Sequence, residues 1–493
     1  MSHCHCHERT FWSRKDFLMR SGGGVAGLAL AHLLHNEGLL AAGPDQVASC
    51  ATPFPGSFAP RPPHFEPRAT AVISLFMSGG VSHIDTFDYK PALARYAGQP
   101  LDGKVQGNIA VRQGMPGPIM PSPFEFKQYG ESGIHVSSLF SNLAQHVDDM
   151  TIIRSIQGRS NDHIQATYEM QTGQIRMGFP SVGSWVTYGL GAESSSLPAF
   201  VVMTDWRGGP LGGPNDWSAG FMPAEYQGTR FRSSGDPIVD LAPPEGMSAE
   251  TQRARLDALA ELNEIDMERN PGNSELSARI SSYELAYRMQ GCAPEAIDTS
   301  GESEATKKLY GLDNEITEPF GRQLLMARRL VERGVRFIQV FHGGAGNQNR
   351  DTWDAHNNLI ENHGQHAAES DLPIAGLLTD LKARGLLGST LVVWHGEFGR
   401  MPISQRGVGR DHNPGAMTAW MAGGGAPGGM VIGSSDEFGF KAEEQPLSPH
   451  DFHATILNLL GLDHNRLRYR YAGRDWQLSD IDGRPIPQIV GAA

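Results

Sequence analysis

Four runs in this chain are apolar at nearly every position: AVISLFM (Ala71–Met77), VRFIQVF (Val335–Phe341), TLVVW (Thr390–Trp394) and MTAWM (Met417–Met421). Strands with no polar face are covered on both sides, the hallmark of a parallel sheet. Shorter runs at Met150–Arg154 and Ala199–Met203 read as further strands. Stretches of helical period lie between them. One spans His163 to Gly173. A second runs from a Thr317 cap, with Pro319 in its first turn, to Gly334. A third, Asp371 to Arg384, carries Ile374, Leu377, Leu378 and Leu381 on one face. The last opens with the capping box Ser448-Pro449-His450-Asp451 and ends at Gly461. Strands alternating with helices predict an α/β fold of three layers, α/β/α, around a mostly parallel sheet.

The rhythm fails in three places. Residues 43–68 are Pro-rich and aperiodic, and read as a linker. Residues near 100–135 are Gly/Pro-rich and predict a loop insertion. Residues near 205–320 begin as loop and pass into helices, whose stripes (Leu256, Leu259, Leu262, Ile265; Leu276, Ile280, Tyr283, Tyr287) are expected to be core contacts. Residues 69–493 are thus expected to form one domain with two insertions.

Ahead of the linker, Ser13-Arg14-Lys15-Asp16-Phe17-Leu18 precedes a Gly/Ala/Leu-rich stretch from Gly22 to Leu40. This resembles a twin-arginine export signal with Lys15 in place of the second arginine, so residues 1–42 are read as a leader for export to the periplasm or cell envelope. The opening His3-Cys4-His5-Cys6-His7 belongs to that leader or forms a metal tract. Only Cys50 and Cys292 remain beyond it, which implies no disulfide framework. No run reaches the ~18 unbroken apolar residues of a membrane span. The net charge of −13 argues against nucleic acid as a partner.

Polar residues collect where the apolar runs stop: His83, Asp85 and Asp88; His342 with Asp351, Asp354 and His356; His395 and Glu397; Asp411 and His412. Open α/β sheets bind ligands at these strand ends. Carboxylates mixed with imidazoles suit zinc, manganese or another divalent ion such as calcium. With nineteen histidines, a purely hydrogen-bonded cluster is the competing reading.

The motifs LFMSGGVSHIDTFDYKP, TGQIRMGFPSVGSWVTYGLG, WDAHNN, EFGRMP with GRDHNPGAM, and PHDFHATILNLLG, with the SRKDFL leader, resemble an exported branch of the alkaline phosphatase and sulfatase superfamily, the domain-of-unknown-function family 1501. The resemblance implies an alkaline-phosphatase-like fold. It also implies one metal held by Asp351 or Asp354, His356 and His412. A second metal would fall where Ser78, Glu397 and Phe398 stand, with Asp85 or His83 reaching in from the glycine turn. The superfamily's nucleophile position matches about His163, in a stretch without the C/S-x-P-x-R pattern of sulfatases. Three routes stay open: His163 as covalent nucleophile, Ser160 reaching over, or a metal-activated water, which requires no side-chain nucleophile. Arg400 would steady an anionic substrate oxygen or tether its own loop by a salt bridge. The function expected is hydrolysis of a small or glycan anionic ester, phosphate or sulfate. The alternatives are a degenerate member that binds such a ligand without turnover, and an envelope scaffold.

Overall fold

A computed structural model describes residues 59–491, apart from 108, 110, 112–114, 234–237, 239–245, 270–273, 346–347 and 481. The leader and most of the linker lie outside the described residues. Ala48–Ala493 form one compact unit.

Eight strands make the main sheet: β1 (Ala71–Met77), β2 (Met150–Ile156), β3 (Phe200–Met203), β4 (Thr229–Phe231), β5 (Phe337–His342), β6 (Thr390–His395), β7 (Met417–Ala422) and β8 (Met430–Ile432). Their spatial order is β8-β2-β7-β6-β1-β5-β3-β4. The pairings are parallel except that β7 runs antiparallel to both β2 and β6. All seven residues of β1 are buried, as its composition requires. Ile73, Leu75 and Met77 enter one apolar core while Val72 and Phe76 enter another, because successive side chains leave opposite faces. The fold is therefore three-layered, with a core on each side of a mostly parallel sheet. Each fully buried Leu, Ile or Phe contributes about 1.5–3 kcal/mol.

The longer helices are α1 (His163–Thr172), α2 (Val182–Leu190), α3 (Ala249–Arg269), α4 (Ser274–Ile297), α5 (Glu318–Val331), α6 (Leu359–Ala383) and α7 (Pro449–Leu459). The capping box of α7 is present, with Ser448 and Asp451 bonded to each other's backbone N–H. Helix α6 starts twelve residues before Asp371, because its first half buries His363, His366 and Glu369 in place of an apolar stripe.

Two expectations change. Leu259, Leu262 and Ile265 of α3 and Tyr283 of α4 are 43–63% exposed, so this stripe is not core. A period fixes which residues share a face, while the tertiary fold decides whether that face is covered. The end of the Pro-rich segment is docked: the Arg61 N–H donates to Leu190 O and the His64 N–H to Gly461 O, each at 2.8 Å. No described helix is long and apolar enough to cross a membrane.

Candidate metal centre

Register brings three strand ends together. Met77 pairs with His342 and Phe76 with His395, so the loops after β1, β5 and β6 leave the sheet side by side. The turn after β1 runs through Gly79 at φ +110°. A Cβ there would lie 2.6 Å from the Trp353 nitrogen and 2.7 Å from that of Asp354. Glycine is required because the loop carrying Asp354 passes this close.

Asp354 is the hub. Its Oδ1 lies 3.0 Å from His356 Nε2 and 3.2 Å from His412 Nε2, and its Oδ2 lies 3.3 Å from His163 Nε2. One ligand atom from each of the four residues falls within 4.8 Å of the others. His163 is 8% exposed and the other three less. His163 is delivered by the start of α1, where Asp162 Oδ1 accepts the N–H groups of Ile164 (3.1 Å) and Gln165 (3.4 Å).

The far nitrogen of each ring shows how it is oriented. His412 Nδ1 donates to the Asn161 carbonyl at 2.7 Å, His163 Nδ1 to Glu397 Oε1 at 2.8 Å, and His356 Nδ1 to Gln405 Oε1. A carbonyl or carboxylate can only accept, so the proton sits on Nδ1 in each ring. In a neutral ring, Nε2 then presents a lone pair to the Asp354 carboxylate. Lone pair against carboxylate is repulsive unless a proton or a cation lies between. Burial lowers the His412 pKa to about 3, outweighing Asp354, so that ring is neutral. Burial also opposes charge on His163, but its bonds to Asp354 and Glu397 prevail and raise it to about 9. Asp354, despite burial, is held well below the usual carboxylate range, chiefly by Arg400 and by its bond from His163. Imidazoles oriented through Nδ1 and converging by Nε2 on a carboxylate make a cluster that could hold a divalent ion.

A second trio, His342, His366 and Glu369, lies on the other side of the 352–354 loop. Here the tautomer of His342 argues against a metal. Trp353 Nε1 donates to His342 Nδ1 at 3.1 Å, which leaves the His342 proton on Nε2, 3.2 Å from Glu369 Oε2. His366 Nε2 donates to the Thr352 carbonyl at 2.8 Å. Arg207 grips both Glu369 oxygens at 3.0 Å. This trio braces the loop that carries Asp354.

The remaining candidates are placed differently. Glu397 stands behind His163 and also accepts the Gly79 N–H at 2.8 Å, which makes it an orienting group; its Oε2 has no hydrogen-bond partner among the described residues. Arg400 is fully buried. Its guanidinium donates to Asp354 Oδ1 (2.7 Å), Gly80 O (2.6 Å), Arg410 O (3.1 Å) and Gly79 O, so it serves as a tether and does not face a substrate. Asp85 and His83 do not reach the cluster. Asp85 is gripped by Arg410 (2.7 and 3.2 Å) and Ser82, and His83 bonds Gly439 O (2.8 Å) and the Arg400 N–H (3.3 Å). Asp351 is half-buried and outside the converging group. Ser160 donates to Gln165 Oε1 at 2.9 Å and accepts the Asp162 N–H, so it braces the start of α1.

The sequence reading missed two contributors, Asn161 and Gln405, which orient imidazoles. Neither has a residue-type signature that marks it. Phe398, expected at a second metal position, instead flanks the rings, 4.4 Å from His412 and 5.1 Å from His163. His412 and Asn161 also line an open pocket with Gln157, Asn413, Phe440 and Lys441, a route from solvent. Glu397→Gln keeps an oxygen for His163 but removes the charge behind the ring. A 10- to 100-fold rise in the Kd for zinc is expected, read by competition with a chromophoric chelator.

A family model described as a protein of unknown function (DUF1501) matches residues 69–490. The chain belongs to this family. No curated protein matches the sequence. Solved structures similar to this DUF1501 chain include an alkaline phosphatase from the Antarctic bacterium TAB5 (11% identity over 80% of this chain and 99% of that one, TM-score 0.34). Others are the PsFucS1 sulfatase from Pseudoalteromonas sp. (12%, 89% and 71%, TM-score 0.32) and the phosphonate monoester hydrolase SpPMH from Silicibacter pomeroyi (13%, 72% and 72%, TM-score 0.33). Overlaps this loose carry nothing about the chemistry of the cluster.

Proposed function

We propose that the chain is an exported, metal-dependent hydrolase of anionic esters, phosphate or sulfate, with the ion held by His163, Asp354, His356 and His412. One observation carries this reading: three Nδ1-anchored imidazoles turn their Nε2 atoms onto one buried carboxylate. Three nitrogens and one oxygen favour zinc or manganese over calcium, which prefers all-oxygen sets. When bound, such an ion supplies activation of water and counter-charge for an anionic oxygen. The protein's own groups orient and exclude. Glu397, Asn161 and Gln405 fix the rings, Arg400 keeps Asp354 ionised, and Phe398 shields one flank. Lys441, on the pocket wall, supplies positive charge for an anionic ester in an acidic protein. With Ser160 bonded to Gln165, a water nucleophile suits this site better than a side chain. The leader at residues 13–18 supports export.

The commitment of Arg400 to Asp354 and backbone carbonyls favours a second reading, ligand binding without turnover. A panel of aryl phosphates, phosphodiesters and aryl sulfates, assayed with zinc, manganese and calcium, separates the two. Turnover that disappears on chelation and returns with zinc or manganese is expected. Saturable anion binding without turnover across the panel would establish the second reading, and failure to bind any divalent ion would overturn the first.

A further inference from the structure

The C-terminal hairpin pairs Tyr469–Tyr471 with Arg474–Trp476. Its sequence from Arg466 to Trp476, RLRYRYAGRDW, sets four arginines against a single acid, Asp475, in a chain of net charge −13. Its rings pack with two phenylalanines from other loops. Phe221 stacks on Tyr471 at 4.9 Å with planes 11° apart, and Trp476 meets Phe221 at 5.5 Å and Phe179 at 5.3 Å. Arg474 lies over the Trp476 ring at 4.1 Å. A two-stranded ribbon is marginal by itself, so pinning the hairpin accounts for the inner ring faces. It does not account for Tyr471, which stays 48% exposed, or for the arginines. The Arg470 and Arg474 side chains are 69% and 53% exposed, in surface pairs with Asp475 (3.0 Å) and Asp480 (3.1 Å). Such pairs contribute little and are readily exchanged for a better anion.

We propose that this hairpin is a docking platform for an anionic polysaccharide. The open face of Tyr471 stacks on the apolar C–H face of a sugar ring, and Arg470 and Arg474 fork onto its sulfate or carboxylate groups. A sugar polymer with spaced charges fits better than nucleic acid, whose dense phosphate backbone needs a broad positive field that an acidic chain lacks. The platform lies near the far end of the helix that presents His163. Gly173, just after α1, accepts a hydrogen bond from His450 and approaches Leu478, two residues past the hairpin. Ten residues at ~1.5 Å rise span ~15 Å, which sets the scale of the separation between the base of the hairpin and the metal cluster. As a substrate assignment this rests on the hydrolase reading; as a binding surface it stands on the hairpin alone.

The test is affinity electrophoresis of the full chain through gels containing dextran sulfate or unsulfated dextran at 0.15 M salt, with the protein chelator-stripped or zinc-loaded. Dextran sulfate is expected to retard the wild type in both metal states, and dextran is not. Tyr471→Ala and the double change Arg470→Gln/Arg474→Gln are each expected to weaken binding about fivefold or more. Unchanged thermal transitions separate this loss from misfolding, and Arg470→Glu, a surface charge reversal, gives a second reading of the same surface. Binding by a protein that hydrolyses no ester supports the platform and removes the substrate assignment. The platform is overturned if the wild type ignores dextran sulfate, if all variants bind as wild type does, or if single-stranded DNA binds equally well.

Discussion

Protein carrying His412→Ala, incubated with zinc and dialysed, is expected to retain no tightly bound ion and to show no metal-dependent ester turnover. Nothing else in the cluster substitutes for the missing nitrogen, because the other two rings are anchored by Glu397 and Gln405. Loss of an outer partner weakens metal binding 10- to 100-fold, so loss of a ligand should exceed 100-fold, at least ~2.7 kcal/mol. The same result is expected for His356→Ala. The metal-free fold should lose only the Asn161 bond and ring packing in His412→Ala, since the neutral ring directs a lone pair at Asp354 and contributes no favourable contact through that atom. Thermal unfolding then gives a signature independent of turnover. Wild type gains ~2.7 kcal/mol at a free-ion concentration 100 times its Kd, and the variant gains at most ~0.4 kcal/mol. Wild-type affinity in the variant would remove His412 from the ligand set.

The strands, and the loops that end them, were legible because a strand buried on both faces must be apolar throughout. AVISLFM, VRFIQVF and TLVVW have no polar side to mistake. Orientation was less legible: the same continuous apolarity belongs to β7, which runs antiparallel to its neighbours. Helix α2, rich in glycine and β-branched residues, gave no helical period to read. Asp354, His356 and His412 could be picked from the sequence because they follow strand ends in mixed acid–imidazole loops. What sequence could not decide was which arginine takes which acid. Arg400 and Arg410 lie on one segment, yet the first grips Asp354 and the second Asp85. That choice leaves Asp85 outside the cluster and Asp354 at its centre, and it depends on where two loops distant in sequence meet. His163 sat at the right place for a reason the sequence left ambiguous. The first residue of a helix can present a nucleophile or a ligand, and the structure adds what flanks it: the Glu397 carboxylate on its Nδ1 and Asp354 before its Nε2.

Asp354→Asn is expected to abolish metal binding and, unlike His412→Ala, to cost the metal-free protein about 3–5 kcal/mol. The difference follows from Arg400. Its guanidinium is fully buried, with Asp354 Oδ1 at 2.7 Å as its ionic partner. Asparagine preserves shape and some hydrogen bonding but leaves that charge uncompensated, and a deficit of this size is a large part of a typical domain's 5–15 kcal/mol. Arg400→Met should also destabilise the metal-free protein, since it strands the carboxylate. A divalent ion, however, can replace the lost positive charge, so zinc should restore most of that stability. The double variant Asp354→Asn/Arg400→Met contains neither buried charge and should be more stable than Asp354→Asn alone, while remaining unable to bind zinc. Urea unfolding of the four proteins, with and without zinc, closes a double-mutant cycle whose coupling energy reports the pair directly. Additive losses would show that Asp354 is not the counter-charge of Arg400, and a zinc response in Asp354→Asn equal to that of wild type would show that it is not the anchor of the metal.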